Sequence, residues 1–361
     1  GLPTGEYEKK APTPPEKVVK DASQQTRFEH RYYELAKPFV SNVANSRKVM
    51  SATVAIMTQY DEQVIMNIEK HEFALRSASL DVMRQHAGTN KRLAVDKIEN
   101  IGYVSLRSCG VEVLEGQVLT EHARSIKNEN ELNAMRCAIA ACEAAVEEMR
   151  TIMRPGISEN EMWAALHAGN IKRGGEWIET RILSSGPRTN PWFQECGPRI
   201  MQNGDIMAFD TDLVGTYGYC CDISRSWIVG DAKPNAEQRT LYQVAYEHVM
   251  TNIGLIEPGM SFTEMTRIAH RLPEEYRALR YGVLAHGVGL CDEYPCVRYP
   301  EDVAAHGYGG SFEPGMTLCV EAYVGAVGGR EGIKLEEQVL VTETGAVPLS
   351  QYRYEDDLLD V

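Results

Sequence analysis

The residues best suited to chemistry fall in one stretch, GDIMAFDTDLVGTYGYCCDISRSWIVG, residues 204–230. Asp210 and Asp212 follow an apolar run, and Asp222 lies beyond a Gly/Tyr-rich turn. Residues two apart on a strand share a face, so Asp210 and Asp212 are expected to point the same way. A hairpin turning around Val214 to Gly218 sets Asp222 across from Asp210 or Asp212. Three carboxylates on one face repel unless a cation sits among them or one takes a proton.

A second hairpin supplies two more acids. Leu318 to Glu321 enters it, Gly325 to Arg330 turns it, and Ile333 to Glu336 returns. The turn is centred near the midpoint between Glu321 and Glu336, which makes them cross-strand neighbours. His286 lies between the hairpins in HGVGLCDEYP, with glycines that permit close backbone approach. An oxygen-rich set with one imidazole suits Mn, Fe, Co, Ni or Zn. Asp210, Asp212, Asp222, Glu321 and Glu336 exceed what one ion needs. That leaves two readings, two metals about 3.5–4 Å apart or one metal with spare acids.

The elements around these residues repeat. RPGISENEM at 154–162 resembles EPGMSFTEM at 257–265, and Gly204-(x)5-Asp210 resembles Gly315-(x)5-Glu321. These echoes, 103 and 111 residues apart, suggest an internal duplication with two hairpins facing each other. Ahead of the first echo, Asn130 to Met153 has the apolar spacing of a long helix, with Leu132, Met135, Ile139, Cys142 and Val146 on one face. Ser158 and Glu161 form a capping box for the helix that follows.

The 361 residues suit two domains, and 43% hydrophobic with 24% charged residues is the balance of a soluble globular protein. Residues 1–25, rich in Pro, Lys and Glu, read as an arm or linker. Residues 26–121 alternate strand-like and helix-like runs, such as Val49 to Met57 and Arg92 to Asp96, as in a small α/β domain. His71 and His86 there carry no motif. Residues 122–361 hold all the chemistry. No apolar run is long enough for a transmembrane helix and no signal-peptide core is visible, so a cytoplasmic, membrane-free protein is expected. Nine cysteines without C-x-x-C spacing suggest reduced thiols. A net charge of −14 speaks against a nucleic-acid partner.

The ordered set Asp210, Asp222, His286, Glu321 and Glu336 resembles the metal ligands of the creatinase/prolidase/methionine aminopeptidase superfamily. The resemblance covers about residues 122–350. It implies an α/β (α+β) pita-bread catalytic domain with internal pseudo-two-fold symmetry beside a smaller N-terminal α/β domain. The chain departs from the peptidases of that superfamily at informative places. Asp212 stands where they have the glycine of D-x-G, Trp192 follows Pro191 where they have a histidine, and Asp292 replaces the histidine after HGxG. Both histidines that handle a scissile peptide are missing, which argues against peptide hydrolysis.

WIETRILSSGPRTNPWFQECGPR, FDTDLVGTYGYCCDISRSW and HGVGLCDEYP together resemble the DddP-type dimethylsulfoniopropionate lyases, a branch of the superfamily. The resemblance implies cleavage of that zwitterion to dimethyl sulfide and acrylate, a bound metal with iron favoured, and a homodimer. A prolidase- or creatinase-like hydrolase is the alternative. On the lyase reading, Asp292, six residues after His286, is the base that removes the α-proton. The sulfonium accepts no hydrogen bond and suits aromatic faces, for which Trp192, Phe193 and Tyr281 are nearest the motifs. Tyr281 is also a candidate to hydrogen-bond an intermediate, and next in line as base.

Overall fold

A computed structural model describes residues 79–359. The expected arm, the run Val49 to Met57 and His71 lie outside the described residues. The chain divides into two compact units, 1–114 and 115–361. In the first, residues 79–87 are helical and His86 is an exposed residue of that segment. The strands β1 (Arg92–Val95) and β2 (Glu112–Glu115) pair around helix α1 (Asn100–Ser108). Met83, Leu106 and Val111 form its small core.

The second unit is built on an eight-stranded sheet. Its helices are α2 (Gln117–Arg124), α3 (Glu129–Ile152), α4 (Glu159–Lys172), α5 (Ala236–Leu255) and α6 (Phe262–Ile268), with short turns elsewhere. The sheet strands are β4 (Leu183–Ser185), β5 (Ile206–Asp210), β8 (Ser224–Ile228), β9 (Ala285–Val288), β10 (Asp292–Val297), β11 (Thr317–Val324), β12 (Ile333–Thr342) and β13 (Gly345–Pro348). Their order is β10-β9-β11-β12-β8-β5-β4, with β13 also on β12. A separate three-stranded sheet joins β3 (Trp177–Ile178), β6 (Leu213–Val214) and β7 (Cys220–Cys221).

Period-two alternation places the core on one side of β12. Leu335, Val339 and Val341 pack with Leu318 and Val320 of β11 against Tyr242, Ala245 and Val249 of α5. Burying each such aliphatic side chain stabilises the fold by about 1.5–3 kcal/mol. The residues between them, Lys334, Glu336 and Gln338, are also fully buried but are polar, so the opposite face of this strand is a polar interior. A second cluster packs Val146, Met149, Met162 and Leu166 of α3 and α4 against Met207, Phe209 and Trp227 of β5 and β8.

The repeated motifs fold alike. Ser158 caps α4 through Glu161, and Ser261 caps α6 through the Glu264 amide. Gly156 and Gly259 both have positive φ, and their amides donate to Met201 and Phe312. Each serine then bridges a strand-like residue, Ile200 or Ser311. The expected helix at Asn130 to Met153 is α3, begun one residue earlier by a capping box of Asn128 and Glu131.

Away from the sheet's polar face, α5 buries His248 completely. Its Nδ1 lies 3.2 Å from His270 Nδ1 and its Nε2 3.1 Å from the Tyr299 hydroxyl. Burial, with the neighbouring His270 adding to it, holds His248 down to about 3. The folded protein therefore keeps this imidazole neutral, while the unfolded chain protonates it below about pH 6.5. Stability falls as pH drops from about 6.5 towards 3, by up to about 1.4 kcal/mol per pH unit from this group. His248→Gln is expected to flatten that acid limb in unfolding free energies measured by denaturant titration. Parallel pH profiles for the two proteins would assign the limb to other groups.

Candidate metal centre

The polar interior is assembled from five strands. β11 and β12 pair in a register that sets Glu321 opposite Glu336, as the turn-centre argument predicts. Both are fully buried. Neighbouring Glu337 points to the other face and pairs with Arg225 at 2.9 Å, so Glu336 and Glu337 are not a solvated pair. β9 lies on the other side of β11 and sets His286 opposite Cys319. β8 pairs with β12 at Ser224 and Glu336, and β5 then sets Asp210 opposite Ser224.

Asp212 reaches the centre differently from the expectation of a shared strand face. β5 ends at Asp210, and Asp212 has φ 35°, in the left-handed region. Here the first hairpin leaves the large sheet. Its tip, β6 and β7, belongs to the small sheet, with Leu213 opposite Cys221. The same register places Asp212 opposite Asp222, across the kink. Thr211 stitches the crossing, its hydroxyl donating to the Cys221 carbonyl and accepting from the Ile223 amide. The Asp212 amide donates to Asp222 Oδ1 at 3.2 Å, and Thr180 donates to Asp212 Oδ2 at 2.5 Å.

The acids converge on one imidazole edge. His286 Nε2 lies 3.4 Å from Glu336 Oε1, 3.6 Å from Glu321 Oε1 and 3.7 Å from Asp222 Oδ2. Its other nitrogen, Nδ1, is 3.0 Å from the Gly287 carbonyl, which can only accept. That contact fixes the Nδ1–H tautomer and turns Nε2 towards the carboxylates. Glu321 Oε1 and Glu336 Oε1 are buried without a hydrogen-bond partner among the described residues. Buried orphan acceptors aimed at one point fit a cation, and Asp222, His286, Glu321 and Glu336 form the donor set. Ligand atoms within 4.8 Å of one another also define two adjoining groups, Asp210 with Glu321 and Glu336, and Asp212 with Asp222 and Asp292. Cys319 extends the His286 group, its thiol donating to the Asp222 carbonyl at 3.6 Å.

The electrostatics have the strain expected of a cation site. Burial, reinforced by Glu336, pushes Asp210 up to about 6, and burial with the Asp210 charge pushes Asp212 up to about 6. Burial and the charge of Glu336 drive Asp222 well above the usual carboxylate range. Glu336 is itself buried, yet Lys334 and His286 hold it below that range. Burial opposes a charged His286, but its contact with Glu336 and the charge of Glu321 hold its proton well past the ordinary histidine range. A metal entering this centre therefore displaces protons.

Lys334 was not anticipated, although its position two residues before Glu336 on one strand put it on the same face. Its ammonium is fully buried, 2.8 Å from Glu321 Oε2, 2.8 Å from Glu336 Oε2 and 3.0 Å from Asp210 Oδ2. It also donates to Ser224 Oγ at 2.8 Å. That hydroxyl sits 2.7 Å from Asp210 Oδ1 and 2.8 Å from Glu336 Oε2.

Asp292 opens β10, paired with Val288. Its carboxylate is 4.0 Å from His286 Nδ1 and 32% exposed, the accessible acid beside the buried set. Burial is the main force pushing it up to about 7, with the charges of Asp212 and Glu336 adding and His286 opposing.

The three aromatics separate. Phe193 is 62% exposed, and its ring is 5.2 Å from that of Tyr281. Tyr281 in turn stacks over Lys334 Nζ at 4.5 Å. Burial, then the charge of Glu321, drives the Tyr281 hydroxyl far above its usual range. Trp192 is 5% exposed and stacks on Tyr323 within the core, which corrects its assignment to the substrate surface. A single aromatic beside a proline carries no signal that separates core from pocket.

The profile of metallopeptidase family M24 matches residues 133–343, and the chain belongs to that family. It is similar to the dimethylsulfoniopropionate lyase DddP of Roseovarius nubinhibens, 54% identical over 283 residues, which covers 77% of this chain and 64% of that protein. The dimethylsulfoniopropionate lyase DddP of Roseobacter denitrificans is 49% identical over 285 residues, covering 78% of this chain and 64% of that one. The chain thus spans a little under two thirds of the length of these relatives. Among solved structures, an Xaa-Pro dipeptidase from Bacillus anthracis superposes with a TM-score of 0.68 at 23% identity over 78% of this chain and 77% of its own, a likeness of fold.

Asp222→Ala and His286→Ala are each expected to abolish tight metal binding, read by elemental analysis after dialysis. Ser224→Ala, which removes a support for Asp210 and Glu336, is expected to weaken metal affinity by about 10–100-fold in a chelator competition. Full metal content in Asp222→Ala would place the ion elsewhere.

Proposed function

We propose that this protein cleaves dimethylsulfoniopropionate to dimethyl sulfide and acrylate by base-catalysed β-elimination. The observation that carries the reading is Asp292, a one-third-exposed carboxylate 4.0 Å from His286 Nδ1, where a hydrolytic relative is expected to hold a histidine. The similarity to two proteins named as lyases of this substrate supports it.

Asp222, His286, Glu321 and Glu336 would hold the metal, with Asp210 and Asp212 beside them. When bound, a divalent ion, for which the resemblance favours iron, supplies Lewis-acid stabilisation of the substrate carboxylate. Asp292 takes the α-proton, the electron pair closes the Cα–Cβ double bond, and the Cβ–S bond breaks with the pair leaving on sulfur. Its pKa of about 7 suits a base that must be ionised before the reaction and hold a proton after it. The exposed Phe193 ring offers the sulfonium a cation–π face, while Lys334 already occupies a face of Tyr281. The Tyr281 hydroxyl, which keeps its proton, donates to developing negative charge. The resemblance also supports a homodimer, testable by light scattering, that acts on a small zwitterion.

Headspace dimethyl sulfide from protein incubated with the substrate tests the reaction itself. Release of amino acids from Xaa-Pro dipeptides, without dimethyl sulfide, would replace this reading with a hydrolytic one. Asp292→Asn keeps shape and removes the basic lone pair. It is expected to retain metal content while kcat falls at least ~100-fold. Near-normal turnover in a folded, metal-replete variant would sink the assignment. Phe193→Ala is expected to raise KM by about 2–30-fold with kcat nearly unchanged, the worth of one exposed-to-desolvated cation–π contact. Trp192→Ala, by contrast, should lower thermal stability through a cavity, by about 3–5 kcal/mol.

A further inference from the structure

Lys334 divides each of the two facing glutamates in half. Glu321 and Glu336 each turn one oxygen, Oε2, to the ammonium at 2.8 Å and the other, Oε1, to within 3.6 and 3.4 Å of His286 Nε2. Asp210 gives it Oδ2 at 3.0 Å, and Ser224 Oγ lies 2.8 Å away. Three carboxylates and a hydroxyl thus surround the three N–H groups of one ammonium, and the residue has no exposed surface. A group so enclosed does not touch substrate. Its reach is instead the orientation of both glutamates, because a carboxylate held at one oxygen has the direction of its second oxygen set.

We infer that Lys334 is a positioning residue, a resident counter-ion that keeps the carboxylates of the centre assembled and aimed at His286 Nε2 whether or not a metal is bound. Buried acids at this density otherwise repel, and the strands that carry them would separate or take up protons. With Lys334 in place, the metal meets a preformed cradle and does not have to build one. The inference rests on the metal centre and not on the identity of the substrate, so it stands or falls separately from the lyase reading.

The test compares metal-free and Mn²⁺-loaded protein for the wild type, Lys334→Met and Lys334→Arg. Metal-free wild type is expected to keep slow amide hydrogen exchange across 317–324 and 333–342. Lys334→Met, similar in length without charge, should lose that protection when metal-free and regain it with Mn²⁺. Its thermal midpoint should rise on Mn²⁺ loading by at least about twice the rise in wild type, because the ion then supplies the missing positive charge. Lys334→Arg should follow the wild type. A lysine that merely fills space would lower the midpoint equally with and without Mn²⁺, and that result overturns the inference. Loss of protection in metal-free wild type overturns it as well, and decides the matter even where Lys334→Met does not fold.

Discussion

Mutual repulsion among buried carboxylates is the constraint that the second unit is built to manage. Asp210, Asp222, Glu321 and Glu336 are almost wholly removed from water, and burial alone disfavours their charged forms. The structure answers with cations and donors held in place by strands. Lys334 and His286 face the acids from two sides, Ser224 links two of them, and the Asp212 amide and Thr180 hold two more. None of these contacts is local in sequence except Lys334 with Glu336. They exist because β5, β8, β12, β11 and β9 lie side by side in one sheet, and the aliphatic layer under α5 fixes that order.

The sheet therefore has a division between its faces that is visible strand by strand. On β12 the odd-numbered positions Leu335, Val339 and Val341 are core, while Lys334, Glu336 and Gln338 are the polar interior. A slip of one residue in the pairing of β11 and β12 would put the glutamates into the aliphatic layer and the leucines into the metal centre. The register of this one pair, with Glu321 opposite Glu336, is thus both a folding constraint and a functional one.

Much of this was legible in the sequence because hairpins carry their own ruler. The turn between Glu321 and Glu336 is short and symmetric, so counting from its centre gave the pairing. The same count at the first hairpin succeeded for Asp212 and Asp222 but not for the common face of Asp210 and Asp212. The strand breaks between them at a residue with positive φ, where the hairpin passes from one sheet to another. A break of that kind depends on what the hairpin tip packs against, and pattern alone does not show it. Lys334 was readable in principle, since a lysine within an apolar strand at even spacing from a ligand is either a ladder edge or a buried partner. Trp192 was not readable, because its burial follows from stacking on Tyr323, more than a hundred residues away.

The metal-ligand candidates and the proposed base belong to different parts of the sheet. Asp210, His286, Glu321 and Glu336 lie on interior strands, each hydrogen-bonded on both sides, whereas Asp292 begins β10, the strand at the sheet's outer end. Interior positions are coupled through register, so exchanging one disturbs several. Among the described residues β10 has a strand partner on one side only. The architecture thereby separates an interlocked set of metal-ligand candidates from an acid held by a single neighbouring strand. One codon at position 292 would exchange that acid for an imidazole or an amide without altering Asp222, His286, Glu321 or Glu336. A fold organised this way lets the side chain at that position vary while the register that assembles the ligand candidates stays intact.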